Sequence, residues 1–436
     1  MQNSQILIIG AGATGLMAAR TLSTAGKKVT VLEARNRCGG RIHTLNHEMF
    51  SKNTELGAEF VHGDLPVTLN LLKEAGIPCH SANAEMWHHR NGKFSQEGEF
   101  KGWDKVVEKL GGLKQDISIK DFLEKEFSGD ENEELRIAVI GFVSGYDTAD
   151  PAKASSFALR EEWENEDFEA QHRVKGGYGV MIKYLEDETK KHGAEIYLNT
   201  IVKEIHWQQE KVKAITIDGM GYEATQLLMA LPLGVLQADK NEQGAIAFIP
   251  EIKKQHQAVN AMGFGSIIKV LLEFDTPFWE DKATEELAGM SLKDMGFVLS
   301  NEAIPTWWTQ MPQHSPVLTG WLGGLSAAEK KDAPDEEILQ LSLQSIGNVF
   351  KRNPEELKDK LVAFDVANWT ADPFTRGSYA YDTVEASEAR KILGEAVDNT
   401  IFFAGEYLYE GPAMGTVEAA LTSGLGVAGK IIEKNY

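Results

Sequence analysis

The chain has 436 residues, enough for about three units of ordinary domain size or two larger interleaved ones. Hydrophobic residues make up 42% and charged residues 25%, a balance that excludes a disordered, collagen-like or membrane-embedded chain. With 44 Lys+Arg against 65 Asp+Glu the net charge is −21, which argues against a nucleic-acid partner, since phosphates are bound by clustered Lys and Arg, and favours a cationic small molecule.

In chain order, MQNSQILIIGAG runs almost at once into a strand and a glycine turn. That leaves no room for a charged leader with a cleavage site, and a cytoplasmic location is the expectation. The two cysteines, Cys38 and Cys79, support neither a disulfide framework nor a multi-cysteine metal site. QILIIG, the helical composition of 13–25, Gly26 at the expected helix end, and VTVLEA form a βαβ pattern. From 87 to 173 the character turns polar, acidic and mostly helical, with apolar residues three and four apart in WDKVVEKL and IKDFLEKEF. The apolar runs at 137–143 and 267–272 stop well short of the ~18 residues of a membrane span, so no membrane anchor is expected.

VKGGYGVMIKYLEDETKKHGAEIYLNTIVKEIHW returns to glycine turn, helix and strand. SIIKVLLEFDTPFW opens a second strand-rich stretch, followed by a helix at 335–350. The last segment, from NTIFFAGEYLYEG to GKIIEK, reads as strand, glycine loop and long helix. The expected fold is α/β with α+β character. A Rossmann-like domain from 1–80, 174–262 and 369–436 interleaves with a mixed-sheet and helical domain from 81–173 and 263–368.

Gly10-Ala11-Gly12-Ala13-Thr14-Gly15 is a G-x-G-x-x-G between a strand and a helix. Its glycines serve a tight turn, close backbone approach to a pyrophosphate, and helix packing. The helix N-terminus adds partial positive charge and free N–H groups. Glu33 lies 18 residues beyond Gly15, where a carboxylate accepts from an adenosine ribose and repels a 2′-phosphate. Ala34, Arg35, Gly40 and Arg41 follow, a second glycine pair with arginines suited either to further phosphate contact or to a basic surface loop. This turn alone does not separate FAD from NAD.

GAGATGL, LEARNRCGGRI, ELGAEFVHG, ALPLGVL, FAGE and MGTVEAALTSGL occur in the order found in flavin-containing amine oxidases. The chain resembles the superfamily of monoamine oxidases, polyamine oxidases and lysine-specific histone demethylases, with matching motifs from Gly10 to Leu425. The resemblance implies FAD, a two-domain fold of the kind shared with glutathione reductase, and oxidation of a carbon–nitrogen bond. It places Gly405, Glu406, Thr416 and Val417 in the cofactor segment, with the helix near Thr416 aimed at the flavin N1 and C2 carbonyl. Gly57, Ala58 and Glu59 pass beside the flavin in the same alignment, and the Val202 backbone meets the adenine. No cysteine follows Gly405-Glu406, so the FAD is expected to be noncovalent.

Lys269 interrupts an apolar strand. Composition alone slightly favours a solvent-facing edge-strand lysine, whereas the resemblance makes it the lysine that holds a water near flavin N5, ahead of the turn Pro277-Phe278-Trp279. His62 matches a histidine of polyamine-oxidising members, for substrate binding or proton handling, and is otherwise a turn residue. Glu59 is suited to a substrate ammonium or to capping backbone groups. Trp369, Tyr379 and Tyr381 offer rings around flavin and amine, or core packing. The chain departs from monoamine oxidases at Gly411-Pro412-Ala413-Met414-Gly415, where those enzymes carry an aromatic residue, so either Tyr407 or Tyr409 substitutes or the two-ring cage is incomplete, which counts against monoamine specificity.

The acidic run at 160–169 reads first as a solvated helix face and second as an entrance that steers polyamines. The implied reactants are an amine and oxygen, with imine or aldehyde and hydrogen peroxide as products. An L-amino-acid oxidase is the enzyme alternative; it requires an arginine for the carboxylate, with Arg90, Arg136, Arg160, Arg173 and Arg376 available. A binding protein that keeps FAD only as a structural ligand is the alternative from another class. A chromatin-type demethylase is disfavoured because the coiled-coil insertion of those relatives is missing.

Overall fold

The computed structural model describes residues 2–45, 50–82, 84–96, 102–165 and 171–433. The residues of the strand Val29–Leu32 are all buried, as continuous apolar runs are in a parallel sheet covered on both faces. Glu195–Tyr197, Val29–Leu32, Gln2–Ile9 and Gly221–Met229 run parallel in that order. The far edge of Gly221–Met229 is shared by the antiparallel Lys211–Thr216 and, at its C-terminal end, the parallel Ile401–Phe403. Helix Ala13–Thr24 packs against helices Gly179–Lys191 and Val417–Glu433. Gly424 permits the close crossing of the first and last of these helices, since a Cβ there would collide with the Thr14 carbonyl, while a Cβ on Gly15 would collide with the Gly10 carbonyl of the turn before its own helix.

A second, seven-stranded sheet has the order Leu361–Ala367, Ile267–Phe274, Val317–Gly323, Thr306–Trp308, Met295–Ser300, Glu85–Arg90, Lys93–Ser95. Ile267–Phe274 is an interior strand with neighbours on both sides, which overturns the edge-strand reading of Lys269: that residue lies opposite Trp321 and Ala367. The expected helical character of 87–173 also needs correction at its start. Glu85–Arg90 is a strand because Trp87, His88 and His89 are all buried against the sheet, and neighbouring histidines hide that burial from a hydropathy reading. Beyond it, helices Trp103–Gly111, Ile119–Glu126, Glu133–Gly145 and Ser156–Asn165 enclose a core of Val106, Leu110, Phe122 and Val139.

We take the two large sheets as the centres of the two proposed units. The proposed cuts after residues 80 and 173 fall inside two strands of a small sheet, Phe60–His62, Gln171–Val174 and Cys79–Ser81, so those cuts pass through hydrogen-bonded structure. Among the described residues no helix is long and apolar enough to cross a membrane.

Glu55 ties this junction together by accepting from the Tyr178 N–H (2.6 Å) and the Thr44 hydroxyl (2.9 Å). Burial pushes its carboxyl up to about 7, against the lowering effect of those bonds and of Lys269. The folded state therefore keeps a proton that the unfolded chain has released above its ordinary value of 4.5, so this group's contribution to stability falls between about pH 4.5 and 7 and is level above. Glu55→Gln is expected to flatten that part of the profile, which melting temperatures at pH 5 and pH 7.5 check.

Candidate active site

Helix Ala13–Thr24 begins at Gly12 with no side-chain cap, so its first N–H groups are left for a ligand. Gly10 has φ +104°, a conformation in which a side chain is strained, and its Cβ would meet the Ala230 carbonyl oxygen at 2.5 Å. At Gly12 a Cβ would meet nothing within 4 Å, so that space is open to a diphosphate. Glu33 is buried and accepts from the Ala11 and Arg35 N–H groups, at 2.7 and 2.9 Å. Two bonds leave a carboxylate spare acceptor capacity for ribose hydroxyls. The residues at this end fit an adenine dinucleotide.

The arginines after Glu33 are engaged within the chain. Arg35 forms a fork on Asp372 (2.9 and 2.6 Å), and Arg41 reaches Glu406 (2.9 Å) and the Ser378 carbonyl (2.6 Å). They thereby staple the phosphate loop to the C-terminal segment, and only their remaining donors face a cofactor. Glu406 is itself buried and accepts from the Ala380 N–H at 3.2 Å. Thr416 caps helix Val417–Glu433 by accepting from the Ala419 N–H, while its hydroxyl donates to the Ala413 carbonyl. That helix end points its dipole into the same space.

One cavity of about 2590 Å³ connects these parts. A drug-sized ligand site occupies only ~300–1,000 Å³, so there is room for a dinucleotide and a second molecule. Its wall includes Gly10, Gly12, Ala13, Thr14, Glu33, Ala34, Arg35, Gly40 and Arg41 at the phosphate end. Gly57, Ala58, Glu59, His62, Lys269 and Trp369 follow in the middle, and Val202, Tyr379, Gly405, Glu406, Thr416 and Val417 complete it.

Two expected residues are not on that wall. Gly15 acts through packing, as its contact with Gly10 shows. Tyr407, expected to bind substrate, is fully buried in the core beneath the first sheet, and its neighbour Tyr409 lines the cavity instead. The two-residue difference follows from the short 3-10 turn Glu406–Leu408.

In the middle of the cavity Lys269 is 1% exposed. Its Nζ donates to Glu59 Oε2 at 2.6 Å and to the Gly57 carbonyl at 3.1 Å, and it lies 5.3 Å from the centre of the Trp308 ring. Both Glu59 oxygens are already engaged by cations of the chain, Oε2 by Lys269 and Oε1 by Arg173, so its charge is largely spent before a substrate ammonium arrives. Burial raises the Glu59 carboxyl, but the two cations and their hydrogen bonds outweigh it and hold the group at about 2. Burial lowers His62 to about 4, so its imidazole is neutral near pH 7, and its Nδ1 has no partner among the described residues.

Sequence reasoning missed Arg173 as Glu59's partner and Trp308 as Lys269's neighbour. The only local signals were an arginine in a short polar strand and a Trp-Trp pair.

A dinucleotide cradle continuous with a pocket lined by the buried Lys269 fits the class of nucleotide-cofactor proteins with space for a second molecule beside the cofactor. The chain belongs to the flavin containing amine oxidoreductase family, whose model matches residues 13–432, and FAD is its cofactor. It is 29% identical to human lysine-specific histone demethylase 2 over 98% of this chain and 53% of that protein, so it spans about half the length of that relative. It is 26% identical to polyamine oxidase 4 of Oryza sativa subsp. japonica, over 97% of this chain and 87% of the relative. The fold is shared with a putrescine oxidase solved with putrescine bound (TM-score 0.80, 21% identity) and with cyclohexylamine oxidase from Brevibacterium oxydans IH-35A (TM-score 0.78, 18% identity). Each of these two comparisons covers 99% of both chains.

Neither Cys38 nor Cys79 reaches the cavity wall. Acid precipitation is therefore expected to release all the flavin into the supernatant, and the protein's denatured mass to equal that of the bare chain. An added flavin mass on the chain contradicts noncovalent binding.

Proposed function

We propose that the chain oxidises the C–N bond of a primary or secondary amine, a diamine or polyamine before a monoamine, giving an imine that water hydrolyses and hydrogen peroxide from oxygen. The observation that carries this reading is the excess of carboxylates on the cavity wall. Glu134, Asp147, Glu161, Glu162, Glu302 and Asp382 line it, while its cations besides Arg35, Arg41 and Lys269 are Arg90 and an Arg390 already paired with Asp382. An acidic wall attracts and retains cationic amines. Glu161 and Glu162 come from the run first read as a solvated face; residues 166–169 of that run lie outside the described residues.

FAD held in this cradle would supply the acceptor for a hydride equivalent from the amine's α-carbon, with oxygen as the final electron acceptor. The chain's own residues orient and dehydrate. Gly57 makes room for the Arg41 carbonyl, with which a Cβ there would collide, Trp369 is fixed by its indole N–H on the Leu56 carbonyl (2.8 Å), and Lys269 presents an N–H beside them. Neutral His62 offers a proton acceptor at the same wall.

Of the five arginines open to the amino-acid oxidase alternative, Arg90 alone lines the cavity. Arg136 and Arg160 bond to backbone carbonyls, Arg173 is held by Glu59, and Arg376 pairs with Glu242. A panel of diamines, polyamines, monoamines and amino acids, scored for peroxide and for anaerobic bleaching of the yellow protein, tests the reading. Peroxide from leucine but not from its decarboxylated amine would favour the amino-acid oxidase, and no bleaching with any compound would favour a structural flavin.

A further inference from the structure

We propose that Glu59, clamped by Arg173, is a positioning residue that holds Lys269 as an ammonium with one N–H left for the cavity. This rests on the reading of Lys269 given above.

An ammonium has three donors. Two are taken, by Glu59 Oε2 and by the Gly57 carbonyl, and the third is the one that serves the cavity that Lys269 lines. Glu59 is fixed in turn. Arg173 stands opposite Phe60 on the adjacent strand, bonds the second Glu59 oxygen, lies 4.3 Å from the centre of the Phe60 ring, and donates to the Thr309 carbonyl at 3.0 Å. Carboxylate and lysine are each buried to 3% side-chain exposure or less, so the bond is not solvated away.

A buried lysine without a counter-charge releases its proton, because burial penalises the charged form. Glu59 stays ionised throughout the working range, its carboxyl held at about 2, and so supplies that counter-charge permanently. The other groups facing Lys269 do not replace it. Glu55 carries a carboxyl near 7 and is bonded to Thr44 and Tyr178. The strand neighbours Trp321 and Ala367 and the ring of Trp308 bear no charge, and Arg173 repels. Lys269 in this arrangement is a hydrogen-bond donor and not a base.

The test is a pH titration of the visible flavin band in the FAD-loaded protein, which reads the charge beside the flavin without turnover. Glu59→Gln is expected to move a lysine-dependent transition down by about 1 to 3 pH units, the usual effect of one close opposite charge. Glu59→Asp keeps the charge and is expected to stay near wild type. The transition disappears in Glu59→Gln/Lys269→Met, where any step due to Glu55 persists.

A transition at the same pH in Glu59→Gln and wild type overturns the proposal. Should Glu59→Gln not fold, Glu59→Gln/Arg173→Gln removes both charges together and is expected to show a smaller downward move. Loss of the fold in both variants makes Glu59 a structural residue and overturns the proposal equally. A shifted transition together with undiminished flavin reduction in Lys269→Met leaves the pairing standing and removes the catalytic reading of Lys269. Slow reduction in Lys269→Met without the shift removes the positioning role alone.

Discussion

Lys269→Met is expected to retain FAD and to slow anaerobic flavin reduction by an amine about 10²-fold or more, the usual range for loss of one positioned hydrogen-bond donor. The variant is a clean test because the neighbours survive it. Glu59 keeps Arg173 as its counter-charge, so no buried carboxylate is left alone, and methionine has nearly the length of the lysine stem. Removing Glu59 instead leaves Lys269 and Arg173 facing each other without an anion, a change of the kind that costs about 3–5 kcal/mol. Stopped-flow reduction and reoxidation, with flavin content measured on the same sample, decide the matter. Unchanged rates in Lys269→Met would take this lysine out of the chemistry.

Two alanine variants only three residues apart are expected to fail in different ways. In Gly15→Ala the added methyl collides with the Gly10 carbonyl, a backbone atom that has no rotamer to retreat into. The loss is one of stability, at or above the ~1–3 kcal/mol typical of overpacking, and it lowers the melting temperature with or without FAD. In Gly12→Ala the methyl enters open space and the residue's φ of −73° suits any side chain, so the protein without cofactor should melt as wild type does. Its deficit is in the dissociation constant for FAD, raised about tenfold or more, each tenfold corresponding to ~1.4 kcal/mol. Equal melting behaviour of the two variants would sink the assignment of Gly15 to packing and Gly12 to ligand approach.

The contrast shows where the chain's residues speak for themselves. The turn at Gly10–Gly15 and the carboxylate at Glu33 are legible because strand, spacing and helix lie within one βαβ unit, and the structure keeps them together. Gly57, Lys269, Trp369 and Thr416 came only through the resemblance, since their meeting depends on contacts across hundreds of residues. Arg173 and Trp308 had no such guide. Each acts through a neighbour set by sheet register, Arg173 opposite Phe60 and Trp308 opposite Thr319, and register across distant strands is not written in local periodicity. Tyr407 misleads for a related reason: a single tight turn decides which of the two rings, Tyr407 or Tyr409, enters the core.

The crossing of the first and last helices bears on how the protein is made. The Thr14 hydroxyl bonds the Ala420 carbonyl at 2.9 Å, and the buried Glu418 carboxylate takes the Val67 and Thr68 N–H groups that open helix Pro66–Glu74. Neither junction exists while the ribosome is still short of residue 420. The nucleotide cradle therefore stays unfinished until residues 418 and 420 are available, and a shorter nascent chain carries an open N-terminal half. A pulse of free FAD given during translation should be captured only by chains extended past residue 420.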